Sequence, residues 1–238
     1  MQRRTFLSTS ILGALATAVK LPAMAADNYT VINAGVGGNT TADLLKRIDR
    51  DCLAHKPALT VLMIGTNDMN SRKYIPLPQY RENLSTLIKK IKGVNSQVLL
   101  MTICPFIDEY LFTRHDKAHY GTEGPAGRRA EVNRTIKALA EEHKTSFLDL
   151  GALFDKAGKV GLDKNSLIQN EANTNKTDGV HPTPDGYRFI GLAVYQHIVY
   201  NHLPQSRIVC FGDSITAADG GVQKESYPAW LLRLLQPA

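Results

Sequence analysis

Short apolar runs recur along the chain, and between them apolar residues return every three or four positions. Five runs are nearly continuous rather than alternating: Tyr29 to Ala34, Leu59 to Gly65, Gln97 to Ile103, Ser146 to Leu150 and Ile208 to Phe211. A strand in a parallel sheet is covered on both faces, so these runs predict parallel strands. Between them Leu44, Ile48 and Cys52 share one helical face, and Tyr80, Leu84, Leu87 and Ile91 another. Val132, Ile136 and Leu139 make a third stripe, and Tyr187, Ile190, Val194 and Ile198 a fourth. Thr183-Pro184-Asp185 supplies a hydroxyl cap and a proline at the first helical position of that fourth helix. A last helix is expected over Tyr227 to Leu235. Strands alternating with helices predict an α/β domain with a parallel sheet. Pro105 to Gly124 and Lys156 to Thr177 lack either period and are expected to be loops over one rim of the sheet.

The first 25 residues have a different character. A basic start containing Arg3-Arg4, a mostly apolar stretch from Phe6 to Val19 and the small-x-small triplet Ala23-Met24-Ala25 predict an export signal. The paired arginines followed by Thr5-Phe6-Leu7 resemble a twin-arginine signal, and an ordinary secretory signal, which can also begin with two arginines, is the alternative. This places the protein in the periplasm or outside the cell, with residues 26–238 as a single domain. The formal charge of the whole chain is +6, from 28 basic and 22 acidic residues. Removing Arg3, Arg4 and Lys20 leaves 25 basic residues and a charge of +3. Much of the basicity is therefore address label, and no Lys/Arg block calls for nucleic acid or an anionic membrane. Cys52, Cys104 and Cys210 are too few and too far apart for a metal knuckle or a disulfide framework. Cys104 and Cys210 sit at the ends of apolar runs, as small core residues do, and one disulfide stays open.

Chemistry is expected just beyond the carboxyl ends of the strands, where open α/β sheets bind ligands. "NAGVGGNTT" (Asn33 to Thr41) follows the first run, "GTND" (Gly65 to Asp68) the second and "GDSIT" (Gly212 to Thr216) the last. "DGVHPTPDG" (Asp178 to Gly186) precedes the capped helix. A serine hydroxyl needs a base to take its proton, and the base works best when a third group holds its tautomer. Asp178 and His181, three apart in a turn containing Gly179, suit orienting acid and base respectively, with Ser214 as nucleophile. The backbone N–H groups of Ser214 and Gly38 and the side-chain amide of Asn67 are candidate oxyanion donors. Each signal alone has a plain structural reading: a Gly-Asp-Ser turn, a helix cap beside a surface histidine, glycine punctuation. Together they fall on one rim.

As a set, "FGDSIT", "NAGVGGNTT", "GTND" and "DGVHP" resemble the four blocks of the SGNH hydrolases, the GDSL-type esterase and lipase superfamily. The resemblance spans nearly all of residues 26–238. It implies a flavodoxin-like three-layer α/β/α fold with a five-stranded parallel sheet, and no metal or organic cofactor. It puts the nucleophile on Ser214, the base and acid on His181 and Asp178, and the oxyanion donors on Gly38, Asn67 and Ser214. In that family the GDS block comes first, whereas here it comes last. Circular permutation accounts for this: "SYPAWLLRLLQPA" followed by "ADNYTVINAGVGG" reads without a break as helix, loop and strand, and "YNHLPQSRIVC" ties the other junction. The Ile208 strand is then expected between the Val31 and Leu59 strands. The rival, that residues 207–238 begin a second domain, leaves the first without a nucleophile.

The implied activity is ester hydrolysis through an acyl-enzyme, with a small-molecule or carbohydrate ester as partner. Export and the aromatic loop residues Tyr74, Tyr110, Phe112 and Tyr120 favour a carbohydrate O-acyl (acetyl) ester. Lysophospholipids, thioesters and aryl esters follow, and a non-catalytic carbohydrate-binding relative is the alternative from another class. A dinucleotide fingerprint is not completed, since its third glycine would fall on Thr40. His115 and His119 in "HDKAH" are expected to lie in a solvated loop and not on a metal.

Overall fold

The computed structural model describes residues 29–218 and 225–236; the expected export signal lies outside them. Five parallel strands, β1 (Thr30–Gly35), β2 (Leu59–Met63), β3 (Gln97–Met101), β4 (Ser146–Leu148) and β5 (Arg207–Gly212), form one sheet in the order β1-β5-β2-β3-β4. The last strand in sequence thus lies between the first two, as the motif order predicts. Its register sets Gly212 beside Gly35 on one side and Met63 on the other.

The helices are α1 (Thr41–Asp51), α2 (Leu77–Gly93), α3 (Asp108–Leu111), α4 (Gly124–His143), α5 (Leu150–Ala157), α6 (Glu171–Thr174), α7 (Pro184–Tyr200), α8 (Ser214–Ala217) and α9 (Tyr227–Leu235). Side chains alternate across the pleated sheet and create two cores. Leu62, Leu100, Val209 and Phe211 face α1, α2 and α4, while Val61, Leu99, Ile208 and Cys210 face α5, α7 and α9. The result is the three-layer architecture expected. On α7 the stripe of Tyr187, Ile190, Val194 and Ile198 is fully buried, worth about 1.5–3 kcal/mol for each large apolar side chain. Thr183 caps it, its hydroxyl accepting the Gly186 N–H at 3.1 Å.

Several expectations change. The second, third and fourth strands stop two residues short of their apolar runs, because Ile64, Ile103 and Leu150 are buried in the connections that leave the sheet. Leu150 opens α5, which the apolar run hides; Asp149 caps it through the Ala152 N–H, and Gly158 ends it in the left-handed conformation. The two stretches expected to be loops contain α3, α6 and a 3-10 turn at Lys117–Tyr120. His115 and His119 are half-buried and turned inward, not solvated. The three cysteines are buried and unpaired. No helix among the described residues is long and apolar enough to cross a membrane.

Candidate active site

β5 delivers Asp213 and Ser214 to the carboxyl rim of the sheet. The buried Asp213 carboxylate accepts the Ile215 N–H at 2.9 Å and so caps the single turn of α8, on which Ser214 is the first residue. Gly212 is required by close approach: a Cβ there would lie 2.3 Å from Thr216 Oγ1 and 2.4 Å from the Met63 carbonyl. The turn after β5 can therefore fold tightly back against its own strand and its neighbour.

The Asp178–His181 turn reaches the same rim from the far side of the chain. Asp178 Oδ1 accepts the backbone N–H groups of Val180 (2.9 Å) and His181 (2.7 Å), the pattern by which aspartate builds a turn on its own backbone. Gly179 supplies the φ of +71° that the turn needs. Outside contacts seat the turn: Gly179 N–H donates to Gln169 O, and Gln169 N–H to His181 O, both at 2.9 Å. With the ring so placed, His181 Nδ1 lies 3.0 and 2.9 Å from the two Asp178 oxygens, and Nε2 lies 2.9 Å from Ser214 Oγ. A carboxylate can only accept here, so Nδ1 carries the proton and Nε2 offers a lone pair to the serine hydroxyl. Burial alone would raise the Asp178 pKa; the hydrogen bond and charge of His181, with the two backbone donors, outweigh it and bring it to about 2.

Gly38 and Asn67 stand on the two loops that flank β5. Neither the Gly38 nor the Ser214 N–H has a hydrogen-bond partner among the described residues. Asn67 spends one amide hydrogen on the Asn39 carbonyl at 2.9 Å, which ties its loop to the glycine loop and leaves the second hydrogen. Lys73 Nζ donates to the Gly38 carbonyl at 2.6 Å. The buried Asp68 carboxylate accepts the Thr41 N–H (2.9 Å) and hydroxyl (2.6 Å), occupying the α1 N-terminus that a nucleotide phosphate would need. Burial, against those two hydrogen bonds, pushes its pKa up to about 6. Burial likewise raises that of Asp213 to about 7.

Two arginines at the rim were not legible as site residues. Arg47 is buried and donates to the carbonyls of Ala34 (2.9 Å) and Gly212 (2.8 Å) and to Asn39 Oδ1 (2.6 Å), so one cation pins the ends of β1 and β5. Its signal was available, a charge three residues after Leu44 on the apolar stripe of α1. Arg114 donates to the Asp178 carbonyl from a segment with no periodicity to read. Of the loop aromatics, Tyr120 is buried with its hydroxyl on Asn70 Oδ1, and Phe112 packs beside it. Tyr74 keeps 42% of its surface exposed, but Arg128 lies over its ring, 5.2 Å from the centroid. No group of three His, Cys, Asp or Glu side chains suited to a metal ion occurs among the described residues.

Comparison with known proteins places the chain in a family. An acetylxylan esterase of Geobacillus stearothermophilus is 30% identical over 178 residues, 71% of each chain. An uncharacterized lipoprotein of Bacillus subtilis is 26% identical over 68% of this chain and 71% of its own. Among solved structures, an acetyl-xylooligosaccharide esterase from Geobacillus superposes with a TM-score of 0.52 at 27% identity, covering 68% of both chains. A lipase/acylhydrolase from Enterococcus faecalis shares the fold, with a TM-score of 0.55 at 23% identity over 71% of this chain and 74% of that one. The model of the GDSL-like lipase/acylhydrolase family matches residues 10–189. On that match and the 30% identical relative, the chain belongs to the GDSL-like lipase/acylhydrolase family.

Proposed function

We propose that the protein hydrolyses carboxylic esters through an acyl-enzyme on Ser214 and that its substrates are O-acetylated carbohydrates. The observation that carries the mechanism is the contact of 2.9 Å between Ser214 Oγ and His181 Nε2, with Asp178 on the other ring nitrogen. His181 takes the hydroxyl proton as Oγ attacks the acyl carbon, and the imidazolium is stabilised by Asp178. The oxyanion is held by the N–H groups of Ser214 and Gly38 and by the remaining amide hydrogen of Asn67. Collapse expels the alcohol, which receives the proton from His181. Water, deprotonated by the same nitrogen, then attacks the ester carbonyl of the acyl-serine and frees the carboxylic acid. Every proton is returned, and the cycle needs no cofactor.

The carbohydrate assignment is supported by the 30% identical acetylxylan esterase. Residues 26–238 are taken as the catalytic domain. Export, in periplasmic or secreted form, is supported by Arg3-Arg4 and the apolar stretch after them, and by the lipoprotein relative. Ser214→Ala should abolish acetate release from acetylated xylo-oligosaccharides and labelling by a fluorophosphonate. Retained hydrolysis in that variant ends the mechanism. An acyl-length series in which long chains outrun acetate ends the substrate assignment.

The order of the motifs is read as a circular permutation. The family match ends at residue 189, ahead of β5, and α9 packs against β1, as a helix that once preceded that strand would. A chain rebuilt to start at residue 205 and to run from residue 238 into residue 26 should fold and hydrolyse esters; if it cannot fold, the permutation reading loses its support.

A further inference from the structure

We propose that Arg114 is a positioning residue for the acid–base pair, and this rests on the triad assignment above. The segment 105–121 crosses both catalytic loops. Toward the base turn, Ile107 N–H donates to Gly179 O at 2.9 Å, and Arg114 Nη2 donates to Asp178 O. Toward the Asn67 loop, His115 Nδ1 meets Ser71 Oγ at 3.2 Å, His119 Nε2 meets Met69 O at 3.1 Å, and Tyr120 donates to Asn70 Oδ1 at 2.6 Å. Neighbouring residues 114 and 115 thus reach opposite ways and hold the two loops at a set separation.

The turn needs such a hold. Gly179 is the residue with most backbone freedom to lose, and it sits inside the link between acid and base. The Asp178 carboxylate closes the turn on itself, through the His181 ring and the Val180 and His181 N–H groups, so the seating of the turn on the rim falls to contacts from outside it. Arg114 grips the carbonyl on one side of Gly179 and Ile107 the carbonyl of Gly179 itself. Arg114 also brings charge, its Nη1 lying 3.9 Å from Asp178 Oδ2.

Around the His181 ring, Asp178 holds Nδ1 from its own turn, Asp213 at the end of β5 is in electrostatic contact with it, and Arg114 from the crossing segment lies beside Asp178. A guanidinium opposes protonation of the ring, so its loss lets His181 hold its proton to higher pH. Arg114→Gln should lower kcat on 4-nitrophenyl acetate about tenfold, with KM within about twofold, because the base is displaced and not the binding surface. The acidic limb of the kcat profile should move up by about 0.5 pH units. Arg114→Lys keeps the charge without the planar fork, so the limb should stay in place while kcat recovers only in part. A folded Arg114→Gln protein with unchanged kcat and an unmoved limb overturns the proposal. If that variant does not fold, Arg114→Lys decides, and full wild-type kcat in it overturns the proposal instead. Ser214→Ala in the same panel separates the two levels: activity retained there refutes the triad itself, whatever the Arg114 variants do.

Discussion

Replacing Asp178 by asparagine changes one atom and should invert the chemistry of the ring beside it. The carboxylate meets His181 Nδ1 with Oδ2 at 2.9 Å, while Oδ1 takes two backbone N–H groups at 2.9 and 2.7 Å. An amide keeps its oxygen on those two donors, which leaves its NH2 facing Nδ1. Nδ1 must then accept, the ring proton moves to Nε2, and Ser214 Oγ, 2.9 Å away, meets a donor where it needs a base. A triad held in the wrong tautomer loses about 10⁴ in kcat, or about 5 kcal/mol at roughly 1.36 kcal/mol per decade. Stability should change far less. Asp178 is held below its unfolded value, at about 2, so its contribution is present in full above the ordinary carboxylate range and is lost as pH falls through about 2. At neutral pH the variant should be less stable by about 1–2 kcal/mol after solvent screening. Its melting temperature should converge on that of the wild type as the pH is lowered. Initial rates on 4-nitrophenyl acetate and calorimetric melts at several pH values measure both effects. A folded Asp178→Asn enzyme within about tenfold of wild-type kcat would refute the tautomer argument.

Asn67→Ala removes an oxyanion donor and leaves the Asn39 carbonyl without its partner. The expected cost is about 10² to 10³ in kcat with KM little changed, alongside about 1 kcal/mol of stability; kinetics with a denaturant melt tests this, and an unchanged kcat removes Asn67 from the oxyanion site. Gly212→Ala drives a methyl into Thr216 Oγ1 and the Met63 carbonyl, the second of which is backbone and cannot swing away. It should cost about 3 kcal/mol, whereas Gly37→Ala, with nothing within 4 Å of its Cβ, should stay within about 0.5 kcal/mol. Equal melting temperatures for the two variants would contradict the packing described at the end of β5.

Most of what lies in a periodic element was legible in advance. Leu44, Ile48, Tyr80, Leu84, Ile136 and Ile190 fall on the stripes that predict their burial, and all are buried. The unbroken apolar runs marked the strands, because a strand covered on both faces has no polar side to show. They failed at their carboxyl ends. Leu150 is as apolar as a strand residue, yet it opens α5, and only the cap made by Asp149 distinguishes the two. Segment 105–121 was illegible for another reason. Its side chains are fixed by partners 44 to 64 residues away, such as Ser71 for His115 and Asp178 for Arg114, and no local period records such a partner.

Local sequence determined the alternation of strands and helices, the caps and the residue types competent for acyl transfer, since these depend on neighbours within a few positions. Only the tertiary structure decided that Ser214 and His181, 33 residues apart, meet at hydrogen-bonding distance. It likewise decided that Arg114 holds the Asp178 turn and that Asn67 reaches across to the glycine loop. The meetings on either side of Ser214 follow from strand order, which sets β5 between β1 and β2. Strand order is chosen by the packing of whole faces against one another, a sum over many residues that no single stretch of the chain contains.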